Sequence, residues 1–184
     1  LSSELLDALV IRDCREDDVV AITAIYRHAV ETGFGTFEIV PPSETEMKTR
    51  RRVLVGSKFP YLVAESGGEI VGFAYSSSYR QRSAYSKTVE SSIYVRDGMH
   101  GRGIGSKLQA ALIEQTAARG FRQMVAVIGD SANIGSIRLH EKLGFTQTGT
   151  LRSVGWKKGR WLDTVLMQLA LGSGDGEPGD GEPG

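Results

Sequence analysis

The segment His100-Gly101-Arg102-Gly103-Ile104-Gly105 alternates glycine with larger residues, between a strand-like run and a stretch of helix formers. Such a turn can aim several backbone N–H groups at one anion, and the positive end of the following helix adds to the attraction. Bare glycine main chain also approaches a phosphate without a Cβ in the way. Two familiar nucleotide loops fail on spacing. A Walker loop ends Gly-Lys-Ser/Thr, whereas the order here is Gly105-Ser106-Lys107. A dinucleotide fingerprint keeps two residues between its last glycines and opens an early βαβ unit; here the glycines alternate, late in the chain, after a hairpin. Other groups with chemistry lie around the loop: Glu90 on the preceding strand, His140 and Asn133 in a later helix, Arg80 and Arg82 in a polar loop. Taken singly, each has an ordinary explanation as a solvent-facing strand carboxylate, a packed helix histidine, an N-cap or a solvated arginine.

The elements that must position these groups follow from periodicity. Residues 8–12 read as a first strand, and the acidic stretch 13–18 suits the start of a helix whose apolar residues run from Val19 to Val30. Gly33 to Gly35 ends that helix. Ser43, with Glu46 three residues on, resembles a capping box for a second helix. Residues 61–65 and 69–75 flank Gly67-Gly68, a strong antiparallel hairpin signal. A polar loop at 79–87 precedes a strand at 88–95. A helix is expected at 106–119, an apolar central strand at 123–128, a short helix from Asn133 to Leu143 closed by Gly144, and strands near 145–151 and 161–169. The order β-α-α-β-β-β-α-β-α-β-β describes an α/β sheet of mixed direction. One domain at 1–171 is expected, with 172–184 a flexible acidic tail that repeats Gly-Asp-Gly-Glu-Pro-Gly.

In that setting the sequence resembles the GNAT acetyltransferase superfamily. His100-x-x-Gly103-x-Gly105 matches both glycines of the family's Gln/Arg-x-x-Gly-x-Gly/Ala pyrophosphate loop, with His100 departing from the usual first residue. A second block, Asn133-x-x-Ser136-Ile137-x-x-His140-x-x-x-Gly144-Phe145, is similar to the family's Asn-x-x-Ala-x-x-x-Tyr-x-x-x-Gly-Phe segment. Further stretches resemble the phosphinothricin and methionine sulfoximine acetyltransferase branch: Thr36-Phe37-Glu38, Arg82-x-x-Tyr85-x-x-Thr88-Val89-Glu90-Ser91, and Gly155-x-Lys157-x-Gly159-Arg160-Trp161-Leu162-Asp163. The match runs from about Leu9 to Leu169. It implies a mainly antiparallel, twisted sheet flanked by helices, acetyl-CoA as co-substrate, and transfer of its acetyl group to the α-amino group of a small amino acid such as methionine sulfoximine, methionine sulfone or phosphinothricin.

The resemblance also implies roles. An amine attacks a thioester only as the free base, so a proton acceptor helps, the oxyanion needs a donor and the thiolate needs a proton. Glu90 is implied as the general base, directly or through water, and His140 as the acid for the thiolate. Ile93, Tyr94 and Val95 would offer backbone amides to pantetheine. His100, Gly101, Arg102, Gly103, Ile104, Gly105 and Ser106 would hold the pyrophosphate, with Asn133 and Ser136 completing the cofactor site. Arg80 and Arg82 suit a carboxylate or a side-chain oxyanion, Tyr85 and Thr88 its polar end, and Phe34 and Phe37 either a pocket wall or a place in the core. A neighbouring subunit near the C-terminal hairpin is implied as well, hence a homodimer.

Composition narrows the field. Formal net charge is zero, so bulk charge gives no support to nucleic acid or membrane binding. The single cysteine, Cys14, excludes an intrachain disulfide and fits a reducing, cytoplasmic setting. No apolar run approaches a membrane span, the start does not read as a signal peptide, and no metal is expected. Two rival readings stay open: an acetyltransferase for another amine (a protein N-terminus, a polyamine, an aminoglycoside), or a non-catalytic acyl-CoA-binding sensor.

Overall fold

The computed structural model of the chain describes residues 9–177. One seven-stranded sheet has the order β1-β2-β3-β4-β5-β7-β6, formed by β1 (Val10–Asp13), β2 (Tyr61–Ser66), β3 (Glu69–Ser78), β4 (Thr88–Val95), β5 (Gln123–Gly129), β6 (Thr146–Lys157) and β7 (Arg160–Ala170). All neighbouring strands run antiparallel except β4 and β5. Helices α1 (Val19–Thr32) and α2 (Glu44–Gly56) cover one face; α3 (Ile104–Ala118) and α4 (Ile134–Lys142) cover the other. The expected element order holds throughout. Ala8, expected in the first strand, and 178–184 of the expected tail lie outside the described residues. The described part of the tail turns back on the domain, where the Arg122 guanidinium donates to the carbonyls of Gly174 and Gly176 at 2.8 and 2.7 Å.

Two apolar clusters hold the layers. Leu62, Val89, Leu108, Leu112, Met124, Val165 and Met167 meet beneath α3. Ile22, Tyr26, Val30, Met47, Tyr61, Val63 and Phe73 meet beneath α1 and α2. Each fully buried leucine or methionine there contributes roughly 1.5–3 kcal/mol. The capping signal at Ser43 is realised: its Oγ accepts from the Glu46 N–H at 3.2 Å. Gly67 and Gly68 take positive φ angles of 59° and 80°, as a tight hairpin of this kind requires. Among the described residues no helix is long and apolar enough to cross a membrane.

β5 lies inside the sheet, between β4 and β7, as its apolar run predicts, and its burial alternates, with Met124, Ala126 and Ile128 in the core and Val127 38% exposed. One expectation changes in detail. β6 runs on to Lys157, six residues past its expected end, because its register with β7 slips between Leu151 and Gly155 and then resumes. Ser153 at the slip has a φ of 51°. A local irregularity of this type leaves no hydrophobic period for sequence reading to follow.

Candidate active site

The parallel pairing of β4 with β5 covers only Thr88↔Gln123 to Ser91↔Ala126. Beyond Ser91, β4 stays paired with β3 as far as Val95↔Gly72, and β5 stays paired with β7 as far as Gly129↔Thr164. The two strands therefore part inside an otherwise continuous sheet. Ser92 and Tyr94 spend their backbone groups on β3, in phase with the Thr88–Tyr79 and Arg96–Val71 bonds. Against the expectation for Tyr94, it is therefore the backbone groups of Ile93 and Val95 that face the gap, and such groups require partners. At the apex, the buried Ser91 Oγ has no hydrogen-bond partner among the described residues. The gap thus presents the polar edge that an amide-bearing pantetheine arm would satisfy. The Tyr94 side chain takes no part, being packed on Tyr26 and Phe73 on the α1 side.

The glycine turn joins the end of β4 to α3. Gly101 and Gly103 have φ angles of 75° and 76°, and a Cβ on either would meet nothing within 4 Å among the described residues. Gly103 is the N-cap of α3, and among the described residues no side chain caps the helix. Open backbone at the positive end of a fifteen-residue helix fits a pyrophosphate. Gly105 has a different reason to be glycine: its Cβ would lie 2.8 Å from Leu139 Cδ1, so it lets α3 pack closely on α4. His100, Arg102 and Gly103 are exposed, Ser106 is half-buried and Ile104 is buried in the core.

Glu90 projects from β4 on the α1–α2 face, the face opposite α3, and is half-buried. Burial raises its pKa above the ordinary value, and nearby Arg80 pulls partly the other way. A carboxylate with a raised pKa is the stronger base. Ser77 of β3 lies directly opposite Glu90, and Tyr75 opposite Ser92. Ser77, Tyr75, Phe73 and Tyr61 floor a cavity of about 420 Å³, which α2 roofs with Met47, Arg50 and Leu54. Arg80, exposed, lies near enough to Glu90 to act on its charge, and Arg82 is exposed in the same loop. Here the Arg80 guanidinium sits 5.2 Å from the Tyr79 ring centre, and Tyr79 meets Tyr85 edge-on at 5.7 Å. Thr88 opens β4, half-buried, and its carbonyl accepts from the Tyr79 N–H.

His140 is 3% exposed, with its ring edge-on to Phe145. Its Nδ1 lies 2.8 Å from the Ser136 carbonyl, which can only accept, so Nδ1 carries the proton. Burial lowers the pKa of the ring. The neutral ring therefore offers a lone pair at Nε2, and it must first take up a proton there before giving one away. Asn133 caps α4, its Oδ1 accepting from the Ser136 N–H at 3.3 Å. Phe34 and Phe37 are not core residues. Phe37 is 38% exposed and Phe34 lies under the Arg160 guanidinium, 4.0 Å from ring centre to Cζ. Sequence reasoning missed the aromatic cavity, which depends on the β3–β4 register. It also missed the reason for Gly129 and Gly155, where a Cβ would strike Phe34 and Phe37. Their only signal was glycine in otherwise good strand sequence.

Comparison with known proteins gives one consistent picture. A family model for the acetyltransferase (GNAT) domain matches residues 11–166. The phosphinothricin N-acetyltransferase of Alcaligenes faecalis is 48% identical over 168 residues, covering 91% of this chain and 85% of that protein. The L-methionine sulfoximine/L-methionine sulfone acetyltransferase of Pseudomonas aeruginosa is 40% identical, covering 88% of this chain and 94% of that protein. The crystal structure of a phosphinothricin acetyltransferase from Sinorhizobium meliloti, in complex with acetyl-CoA, superposes with a TM-score of 0.91 at 44% identity, covering 95% of each chain.

Proposed function

The chain belongs to the GNAT acetyltransferase family, and on that premise we propose that it transfers acetyl from acetyl-CoA to the α-amino group of a small amino acid, with phosphinothricin, methionine sulfoximine and methionine sulfone as the first acceptors to test. One observation carries the reading: the half-buried Glu90 lies on β4 just before the strand parts from β5, and open glycine backbone lies at the far end of the same gap. In this reading the parted edge and the turn hold the co-substrate, through the backbone of Ile93 and Val95 and of residues 100–106. Asn133 and Ser136 order the start of α4 beside them. Glu90 takes a proton from the substrate ammonium, the freed amine attacks the thioester carbonyl, and a C–N bond forms as the C–S bond breaks. The second proton lost by nitrogen ends on the thiolate; His140 can join that transfer only by accepting at Nε2 first. A backbone N–H of the β4 edge would stabilise the oxyanion. Arg80 and Arg82 would take the acceptor's carboxylate or side-chain oxyanion, with Tyr85, Thr88, Phe34 and Phe37 around it.

The test is thiol release by the purified chain with acetyl-CoA and a panel of amines. Turnover with the three amino acids, and little with a polyamine, an aminoglycoside or a peptide N-terminus, is the expected result. No thiol release with any amine, despite acetyl-CoA binding, would instead support a sensor. The Arg82→Ala variant should raise the acceptor KM by roughly 10- to 100-fold, the worth of one hydrogen bond to a charged group. Its acetyl-CoA KM should hardly move. Equal changes in both constants would show general damage instead.

The reading includes a homodimer. Exposed Trp156 and Trp161, stacked edge-on at 5.3 Å, lie with exposed Leu151 and Val154 on the C-terminal hairpin, an apolar surface of the kind that subunits cover. Sedimentation velocity on wild type and a Trp156→Arg, Trp161→Arg double variant tests it. A cytoplasmic setting completes the reading, in keeping with the single, buried thiol of Cys14.

A further inference from the structure

Residues 33–43, between α1 and α2, form no helix or strand of their own, yet several of them are pinned from outside. Lys157, at the end of β6, is 3% exposed and donates from Nζ to the Thr36 carbonyl at 2.8 Å. Among the described residues no carboxylate forms an ion pair with it. Burying an ammonium on a single neutral acceptor is costly, and an apolar residue would fill the space at lower cost. Thr36 is itself tied to Tyr26, hydroxyl to hydroxyl, at 3.0 Å. Phe37 lies in a socket that exists because Gly155 and Gly129 lack side chains: a Cβ on Gly155 would come to 2.7 Å from Phe37 Cδ2, and one on Gly129 to 3.0 Å from Cε1. Glu38 pairs with Arg50 in the roof of the cavity that adjoins Glu90. Phe34 lies beneath Arg160, and Lys158 bonds the Glu31 carbonyl. Gly129 ends β5, on the side where that strand has left β4, so the pinned loop borders the mouth of the gap.

We infer that the β6–β7 turn is a brace that sets the acceptor-side loop, with Lys157 as a positioning residue for acceptor binding. This rests on the acetyltransferase reading above. Lys157 touches neither substrate in this account. It fixes the Thr36 carbonyl, and thereby the placement of Phe34 and Phe37 on either side of it. The cofactor turn and α3 lie on the opposite face of the sheet and do not depend on it.

The experiment compares wild type with Lys157→Met and Gly155→Ala, which disturb the same loop from two unrelated contacts. Acceptor KM and kcat are measured on methionine sulfone, acetyl-CoA affinity by calorimetry, and folding by circular dichroism. Each variant should raise the acceptor KM on the order of tenfold, as expected when a binding wall shifts by a fraction of an ångström to an ångström. Acetyl-CoA affinity should stay within about twofold, and the double variant should fall short of the product of the two single effects, because both act through one loop. An unchanged acceptor KM in folded variants, or acceptor and acetyl-CoA constants that worsen together, would overturn the inference and leave the turn as a fold brace alone. If Lys157→Met does not fold, Gly155→Ala decides by the same two outcomes. A wild-type chain that acetylates no amine overturns the functional reading; an active wild type whose variants keep their acceptor KM overturns only the brace.

Discussion

Replacing Glu90 by glutamine is expected to lower kcat by roughly 10²–10⁴-fold while acetyl-CoA affinity barely changes. Glutamine keeps the shape but cannot accept the ammonium proton, and the proposed pyrophosphate contacts lie at the other end of β4. The loss should shrink as pH rises, because solution then supplies more free amine. For wild type, the raised pKa of Glu90 places the acid limb of the kcat/KM profile above the ordinary glutamate value of 4.5. The same shift fixes the sign for stability. The folded chain binds this proton more tightly than the unfolded chain, so stability falls as pH rises from the unfolded pKa through the folded one. At neutral pH the charged, half-buried carboxylate therefore works against folding. Glu90→Gln should melt no lower than wild type, and at or above it. A variant that keeps wild-type turnover at neutral pH, with chemistry shown to limit the rate, would falsify the assignment. One that loses activity by unfolding would contradict the stability argument.

Gly103→Val is expected to weaken acetyl-CoA binding by about 10²-fold or more, the worth of one or two charge-assisted backbone contacts. Two effects act together. A β-branched residue at a φ of 76° is strained by about 1–3 kcal/mol, and its side chain occupies the open side of the turn from which the anion must approach. The strain should lower the melting temperature by a few degrees in a chain of this size. Calorimetric titration of the folded variant measures the binding loss. Gly105→Ala separates the two jobs of the turn, because that Cβ meets Leu139 and not open space. It should disturb the α3–α4 packing first and binding second. Wild-type affinity in folded Gly103→Val would remove the turn from the cofactor site.

The chain order of the elements was legible because each is a local matter. Helical spacing marked α1, Gly67-Gly68 marked the hairpin, and Ser43 with Glu46 marked the start of α2. The alternating glycines were legible as backbone that must stay bare, and the order Gly105-Ser106-Lys107 was enough to exclude a Walker loop. Glu90 and His140 stood out only through the blocks that contain them. Their chemistry differs for a reason that spacing does not carry. Glu90 meets burial and Arg80, whereas His140 has its Nδ1 proton committed to Ser136.

Tertiary structure decided the rest, because it depends on which distant backbones come into contact. The gap between β4 and β5 follows from where parallel pairing ends, and a continuous run such as Met124 to Ile128 gives no sign of that point. The cavity beside Glu90 needs the β3–β4 register, which places Ser77 across from Glu90 and Tyr75 one side-chain pair further along the same face. Lys157, at the end of a strand, has the composition of a surface residue, and its burial came from a loop 121 residues earlier in the chain. Gly155 reads as a weak point in β6 until Phe37 is seen in the space it leaves. Sequence alone determined which groups were available and on which kind of element each sits. The fold decided which of them share a cavity, since burial, register and close approach are properties of pairs of segments and not of either one.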